Sequence, residues 1–204
     1  MNAPASGGKV CLVNGSLRGQ KASSAHFLNR VGKLLAARNI GTAQVSVRPR
    51  LPHGYPEEIL AALNSADAVI LAFPLYCYCL PGGLMRLLEE WARYAMSHPI
   101  EKRPRVYGIA NCGFVLPETN TEAVGVLKHF CARLGLHWRF AIEIACGPAV
   151  VATELIDIKL RRALKSVATD IQSGSTGPKG DVLIGQSCRA SSWTPSESTW
   201  TGTR

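Results

Sequence analysis

The chain is short of acidic side chains: 14 Asp and Glu stand against 23 Lys and Arg in 204 residues, a formal charge of +9. Other features are missing as well. The apolar runs near 67–75 and 141–151 stop far short of the roughly 20 residues that a helix needs to cross a bilayer. Residues Met1 to Gly8 contain no basic stretch followed by an apolar one, so no secretory leader is expected. No Gly-x-x-x-x-Gly-Lys-Ser/Thr pattern occurs, which argues against an ATPase-type phosphate loop. No Gly-x-Gly-x-x-Gly follows a strand, which disfavours a dinucleotide site of that kind. The histidines His26, His53, His98, His129 and His137 lie scattered, without metal-ligand spacing or a Ser-His-Asp arrangement. Seven cysteines make an odd count with no secretory context, so reduced thiols in a cytoplasmic protein are expected rather than a disulfide framework.

What is present is an ordinary apolar content of 47%, enough for one domain with a sizeable core. The positive charge favours anionic partners at long range. Its densest spots, Arg48-Pro49-Arg50, Lys102-Arg103-Pro104-Arg105 and Lys159–Arg162, fall in separate segments. They carry no interleaved aromatics for base stacking, so a nucleic-acid surface is not expected and a solvated basic face is the default. A phosphorylated cofactor is the other anionic candidate.

Strands and helices alternate along the chain. Lys9–Asn14 is a short apolar run ended by Gly15, and Ser24–Arg38 places Phe27, Leu28, Val31, Leu34 and Leu35 at helical spacing. Ala43–Val47 is a weak second strand, Pro49–Pro56 a proline-punctuated loop and Glu57–Ser65 a short helix. Asp67–Phe73 gives the strongest strand signal and stops at Pro74; a helix bearing Leu84, Leu87, Leu88 and Trp91 begins near Pro81. Arg105–Ala110 reads as a strand, Glu122–Leu134 as a helix, Trp138–Ala145 as a fifth strand and Thr153–Ile171 as a last helix. Such alternation implies a parallel sheet covered on both faces, with right-handed crossovers. The domain is expected over 1–172, and 173–204, rich in Gly, Ser, Thr and Pro with isolated Trp193 and Trp200, as a flexible tail.

Ligands of open α/β sheets sit outside the carboxyl ends of the strands, which directs attention to three loops. The first runs from Asn14 to Ser24 into a helix. Gly15 and Gly19 allow tight curvature, Ser16, Ser23 and Ser24 supply hydroxyls, Arg18 a charged fork, and the helix start free N–H groups. Together these suit a dianionic phosphate; a serine-capped polar turn is the plainer alternative. The loop after strand three, Phe73 to Gly83, is stiffened by Pro74 and Pro81, and Leu75, Tyr76 and Tyr78 offer the apolar wall that a flat ring requires. The loop after strand four, Asn111-Cys112-Gly113-Phe114, adds an amide, exposed backbone and another aromatic. Cys77, Cys79, Cys112 and Cys146 also fall near strand ends, where they can converge, although their spacing matches no standard cluster.

With these loops in place, the sequence resembles the NAD(P)H-dependent FMN reductase family of flavodoxin-like proteins. The resemblance rests on NGSLR…SS at 14–24, ADAVILAFPLYCYCLPGGLMRLLEEW at 66–91, VYGIANCGFVLPETN at 106–120 and HFCARLGLHW at 129–138, and covers roughly residues 9 to 150. It implies a flavodoxin-like three-layer α/β/α sandwich with a five-stranded parallel sheet in the order 2-1-3-4-5. It further implies an FMN whose phosphate is held by Ser16, Arg18 and Ser24, with Pro74, Leu75 and Tyr76 along the ribityl chain and ring. Asn111, Gly113 and Phe114 would then lie at the ring edge. Ser23 and Cys112 complete the expected cofactor-binding set by their place in the same loops. NAD(P)H as electron donor, a small-molecule acceptor such as a flavin or quinone, and a homodimer that helps enclose the flavin follow from the same resemblance. Ala22 departs from it, standing where the family loop often has another serine. Cys77 and Cys79 also replace more usual polar or aromatic residues.

No acid or base need come from the protein, since a flavin carries hydride chemistry itself. Two other readings stay open: an FMN electron carrier, which the basic charge disfavours, and a non-catalytic flavodoxin-like binding or interaction module.

Overall fold

The computed structural model describes residues 8–47, 54–100, 102–153, 157–176 and 179–185. Its strands are β1 (Val10–Asn14), β2 (Thr42–Ser46), β3 (Ala68–Pro74), β4 (Arg105–Asn111), β5 (His137–Ile144) and β6 (Val182–Ile184). Its helices are α1 (Ser23–Ala36), α2 (Glu57–Asn64), α3 (Gly82–Ser97), α4 (Thr121–Leu134), α5 (Gly147–Ala152) and α6 (Ile158–Ser173). All strand pairs are parallel, in the order β2-β1-β3-β4-β5-β6.

The inner strands are apolar throughout because both of their faces are covered. In β3, Val69, Leu71 and Phe73 meet Leu63 of α2, Leu84, Leu87 and Trp91 of α3, and Val124 and Leu127 of α4. The alternate residues Ala68, Ile70 and Ala72 join Phe27, Val31 and Leu35 of α1 and Leu160, Leu164 and Val167 of α6 on the opposite face. Each buried Val, Leu, Ile or Phe among them contributes about 1.5–3 kcal/mol by leaving water. Trp91 is wholly buried and also finds a polar partner, its Nε1 donating to Asn64 Oδ1 at 3.2 Å. Near the amino ends of β4 and β5, the buried Arg139 guanidinium donates to both carboxylate oxygens of Asp170 at 2.9 Å, and the Tyr107 hydroxyl donates to the same carboxylate at 2.9 Å. This network ties α6 to the sheet.

The expected order 2-1-3-4-5 is observed, with one strand more than expected. β6 lies in the segment expected to be a flexible tail, so that expectation is corrected for 179–185. Val182, Leu183 and Ile184 pair with Ile142, Glu143 and Ile144 of β5. Asp181 anchors the approach, accepting from Ala141 N at 2.7 Å and from Lys128 Nζ at 2.5 Å. A three-residue apolar run in polar surroundings carries little sequence signal; the open edge of β5 supplies what the run lacks. Trp193 and Trp200 lie outside the described residues, as do His53 and most of the Pro49–Pro56 loop.

The last helix also differs from expectation. The helix expected over Thr153–Ile171 is α6, which starts later, at Ile158, where the Asp157 carboxylate accepts from Lys159 N at 3.2 Å, and runs on to Ser173. The short α5, Gly147–Ala152, precedes it and was not expected. Among the described residues, no helix is long and apolar enough to cross a membrane.

Candidate functional site

The loop leaving β1 is shaped by the last residue of that strand. Asn14 Oδ1 accepts from Ser16 N at 3.1 Å, and Asn14 Nδ2 donates to Gly19 O at 2.9 Å, so one buried side chain holds both sides of the turn. Ser16 Oγ in turn accepts from Arg18 N at 3.2 Å. The loop passes so close to β3 and α3 that a Cβ at position 15 would stand 2.9 Å from Leu84 Cδ2, 3.0 Å from Phe73 Cβ and 3.2 Å from the Ala72 carbonyl, which favours glycine there. Beyond a 3-10 turn at Gly19–Lys21, α1 begins with Ala22 at its cap position, where no side chain caps the helix. The first N–H groups of a helix have no partner within it, and here the N-cap side chain is a methyl group.

The loop leaving β3 starts with Leu75 N donating to Asn111 O at 2.8 Å, which ties it to β4. It then folds into a two-residue turn, in which Tyr76 and Cys79 exchange backbone hydrogen bonds of 3.0 and 2.9 Å. Cys77 and Tyr78, at its tip, both have left-handed backbone conformations, with φ of 48° and 60°. This turn presents the Tyr78 ring to Phe114 of the neighbouring loop. The two rings stack with centroids 5.7 Å apart and planes 19° from parallel, although each is more than half exposed.

The loop leaving β4 is held from beneath. Asn111, 2% exposed, donates from Nδ2 to Ser24 Oγ at 3.0 Å and to Phe73 O at 2.8 Å. Cys112 N donates to Ile144 O at 3.1 Å, Cys146 N to Phe114 O at 2.8 Å and Gly147 N to Cys112 O at 2.8 Å. Glycine is favoured at position 147 as well, since a Cβ there would lie 2.8 Å from Asn111 Oδ1.

The three loops enclose an open cleft of about 180 Å³ at the carboxyl end of the sheet. Ser16, Arg18 and Ser23 line one part, and Pro74, Leu75, Tyr76, Asn111, Cys112 and Gly113 the rest. Nine of the eleven expected residues are thus brought together. Ser24 and Phe114 are not among the lining residues. Ser24 is wholly buried behind the cleft with its Oγ on Asn111, and Phe114 stands at the mouth against Tyr78. Ala22 lines the cleft at the position where the family loop often has another serine, and Pro148 lines it without having been expected there. The rule that ligands gather at strand ends applies equally to β5, and would have pointed to Pro148.

Among the described residues, Arg18, Tyr76 and Cys112 are the only ionisable side chains in the lining, an arrangement that can bind and orient but supplies no paired acid and base. The buried carboxylates lie elsewhere. Burial pushes the Glu143 carboxyl up, with the Thr121 hydroxyl, 3.0 Å away, opposing it. Of the four cysteines near strand ends, Cys112 and Cys146 come together: their sulfurs lie 3.7 and 3.5 Å from one oxygen, the Phe114 carbonyl. Cys77 and Cys79 stay on the hairpin turn. Among the described residues, no group of three or more His, Cys, Asp or Glu is placed to hold a metal ion.

No family profile matches the chain. Solved structures do. An NADH:FMN oxidoreductase in its apo form superposes with a TM-score of 0.61 at 15% identity, covering 83% of this chain and 91% of that one. An FMN-dependent NADH-azoreductase from Bacillus anthracis, in complex with FMN, gives 0.57 at 12% identity over 81% and 98%. A flavodoxin from Streptococcus pneumonia gives 0.58 at 11% identity over 82% and 99%. The fold is therefore flavodoxin-like, and the structures that share it include flavin reductases of the kind the sequence motifs resemble.

Proposed function

We propose that this flavodoxin-like chain is an FMN-binding, NAD(P)H-dependent oxidoreductase that passes hydride from a nicotinamide cofactor through FMN to a small acceptor such as a flavin or quinone. The observation that carries this reading is the chemical division of one cleft. Hydroxyls, a guanidinium and an uncapped helix start stand beside an apolar wall with backbone and amide groups at its far side.

The residues present fit FMN. The methyl group of Ala22 leaves the first N–H groups of the 14-residue α1 without side-chain acceptors, beside Ser16, Ser23 and the exposed Arg18. An anion satisfies such a helix start directly. Pro74, Leu75 and Tyr76 suit the ring and ribityl chain, and Asn111, Cys112 and Gly113 the polar edge. When bound, FMN supplies the hydride acceptance and donation. The chain's part is to fix its position through rigid loops, which the paired bonds of Asn14 and Asn111 provide. The exposed apolar residues at the mouth, Tyr76, Tyr78, Phe114, Val115 and Leu116, suit cover by a second copy of the chain. We therefore assign a homodimer, measurable by light scattering.

The test is spectroscopic. Purified protein supplied with FMN should stay yellow through desalting, bleach under anaerobic NADH or NADPH, and regain colour when an acceptor is added. Protein that retains no FMN would refute the reading. Bound FMN that no nicotinamide bleaches would point to the electron carrier.

A further inference from the structure

We propose that Cys112 and Cys146 form a redox-active dithiol pair that hydroperoxides convert to a disulfide, reshaping the wall of the cleft. Three observations support it. First, the two sulfurs flank a single oxygen, the Phe114 carbonyl, at 3.7 and 3.5 Å. Second, their main chains are joined directly: Gly147 N donates to Cys112 O and Cys146 N to Phe114 O, both at 2.8 Å. This puts the two cysteines side by side, one and two residues beyond the paired ends of β4 and β5, in the neighbourhood that a disulfide requires. Third, Asn120 Nδ2 reaches Cys112 Sγ at 3.5 Å, and the Oδ1 of that wholly buried amide has no hydrogen-bond partner. The surroundings of Cys112 are polar, since its sulfur also stands 3.7 Å from the Ile144 carbonyl and 3.9 Å from the Leu116 carbonyl.

Cys112 lines the cleft, so a small oxidant has a route to it. One thiol attacks the hydroperoxide, its S–H bond giving way to S–OH as the O–O bond breaks and an alcohol or water leaves. The second thiol then attacks that sulfur, the S–O bond breaks, water departs and the disulfide closes. Two thiols lose two electrons and two protons, and the hydroperoxide is reduced to alcohol and water. An external dithiol reverses the step by exchange.

Closure to an S–S bond of about 2.05 Å draws Cys112 away from Asn120 and the Phe114 carbonyl. Gly113 and Phe114 lie in the same loop, so the edge of the cleft moves with it. Its effect on cofactor binding rests on the FMN reading above; the disulfide itself does not.

Full-length protein should be reduced, desalted, treated with hydrogen peroxide, alkylated and digested without reductant, with FMN affinity measured in parallel by fluorescence. The expected product is a peptide pair joined through Cys112 and Cys146, with FMN bound about tenfold more weakly, the effect of one lost hydrogen bond. Added dithiol should restore binding. Cys146→Ser should bind FMN like the reduced wild type and, after peroxide, yield no peptide pair joined through Cys112. The proposal falls if both thiols remain alkylated, if they join other cysteines, or if the joined form binds FMN unchanged. Reduced protein that takes no FMN would remove the cofactor reading alone, and the peptide map would still decide the pair.

Discussion

Asn111 reaches across from the end of β4 to the first turn of α1, its Nδ2 standing 3.0 Å from Ser24 Oγ and 2.8 Å from the Phe73 carbonyl. One amide therefore fixes three of the elements that surround the cleft. Asn111→Ala removes both bonds in a dry setting and should cost about 1–3 kcal/mol, read from urea denaturation. A midpoint unchanged from wild type would show that the amide only occupies the space.

The close approach of Gly147 to the same side chain gives a paired test. Gly147→Ala places a methyl group 2.8 Å from Asn111 Oδ1, whereas a Cβ at Gly113 meets nothing within 4 Å. The first variant should lose about 1–3 kcal/mol to overpacking, and the second should stay within about 0.5 kcal/mol of wild type. Equal losses would contradict the contact.

For the proposed phosphate site, Arg18 is the discriminating residue. Arg18→Ala should lose about 1.5–3 kcal/mol of charge-assisted bonding to FMN, roughly ten- to 150-fold in affinity. Riboflavin, which lacks the phosphate, should bind the variant as it binds wild type. Parallel weakening of both ligands, in side-by-side fluorescence titrations, would place Arg18 elsewhere.

The buried network at the other end of the sheet predicts a pH dependence. Burial pushes the Asp170 carboxyl up, but hydrogen bonds from Arg139 and Tyr107, with the charges of Arg139 and Lys179, outweigh it and hold the group below its ordinary value. Its contribution is therefore complete above the unfolded-state value of about 3.9 and is lost as pH falls through the lower folded-state value. Asp170→Asn, which leaves the Arg139 charge buried without its counterion, should destabilise the protein by about 3–5 kcal/mol at neutral pH. The gap to wild type should narrow below about pH 3.9. Denaturant titrations over a pH series measure it, and a gap independent of pH would rule out the charge as its source.

Much of this was legible in the chain because it depends on local pattern. The apolar run of β3 and the Leu84–Leu87–Leu88–Trp91 face of α3 declare themselves by period, and the alternation of such segments gives the layers. The loops at the ends of β1, β3 and β4 then follow from topology. What was not legible depends on long-range partners. β6 has three residues and needs the edge of β5 and the Lys128–Asp181 pair to exist. Ser24 could not be distinguished from Ser23 as a cleft residue without seeing that Asn111, 87 positions away, takes its hydroxyl. Arg139 and Asp170 sit among apolar neighbours and read as surface charges until each is seen to neutralise the other. The start of α6, by contrast, has a local signal in Asp157, which stands ahead of an apolar-periodic run.

The hairpin tip at Cys77 and Tyr78 sets local comfort against placement of a ring. Left-handed backbone costs a side-chain-bearing residue about 1–2 kcal/mol, and glycine at position 78 would escape that cost. It would also delete the ring that Phe114 lies against. At this residue, selection for a more robust protein and selection for a shaped cleft mouth pull in opposite directions. A search for stabilising substitutions that ignores the cleft would find this turn early and dismantle it.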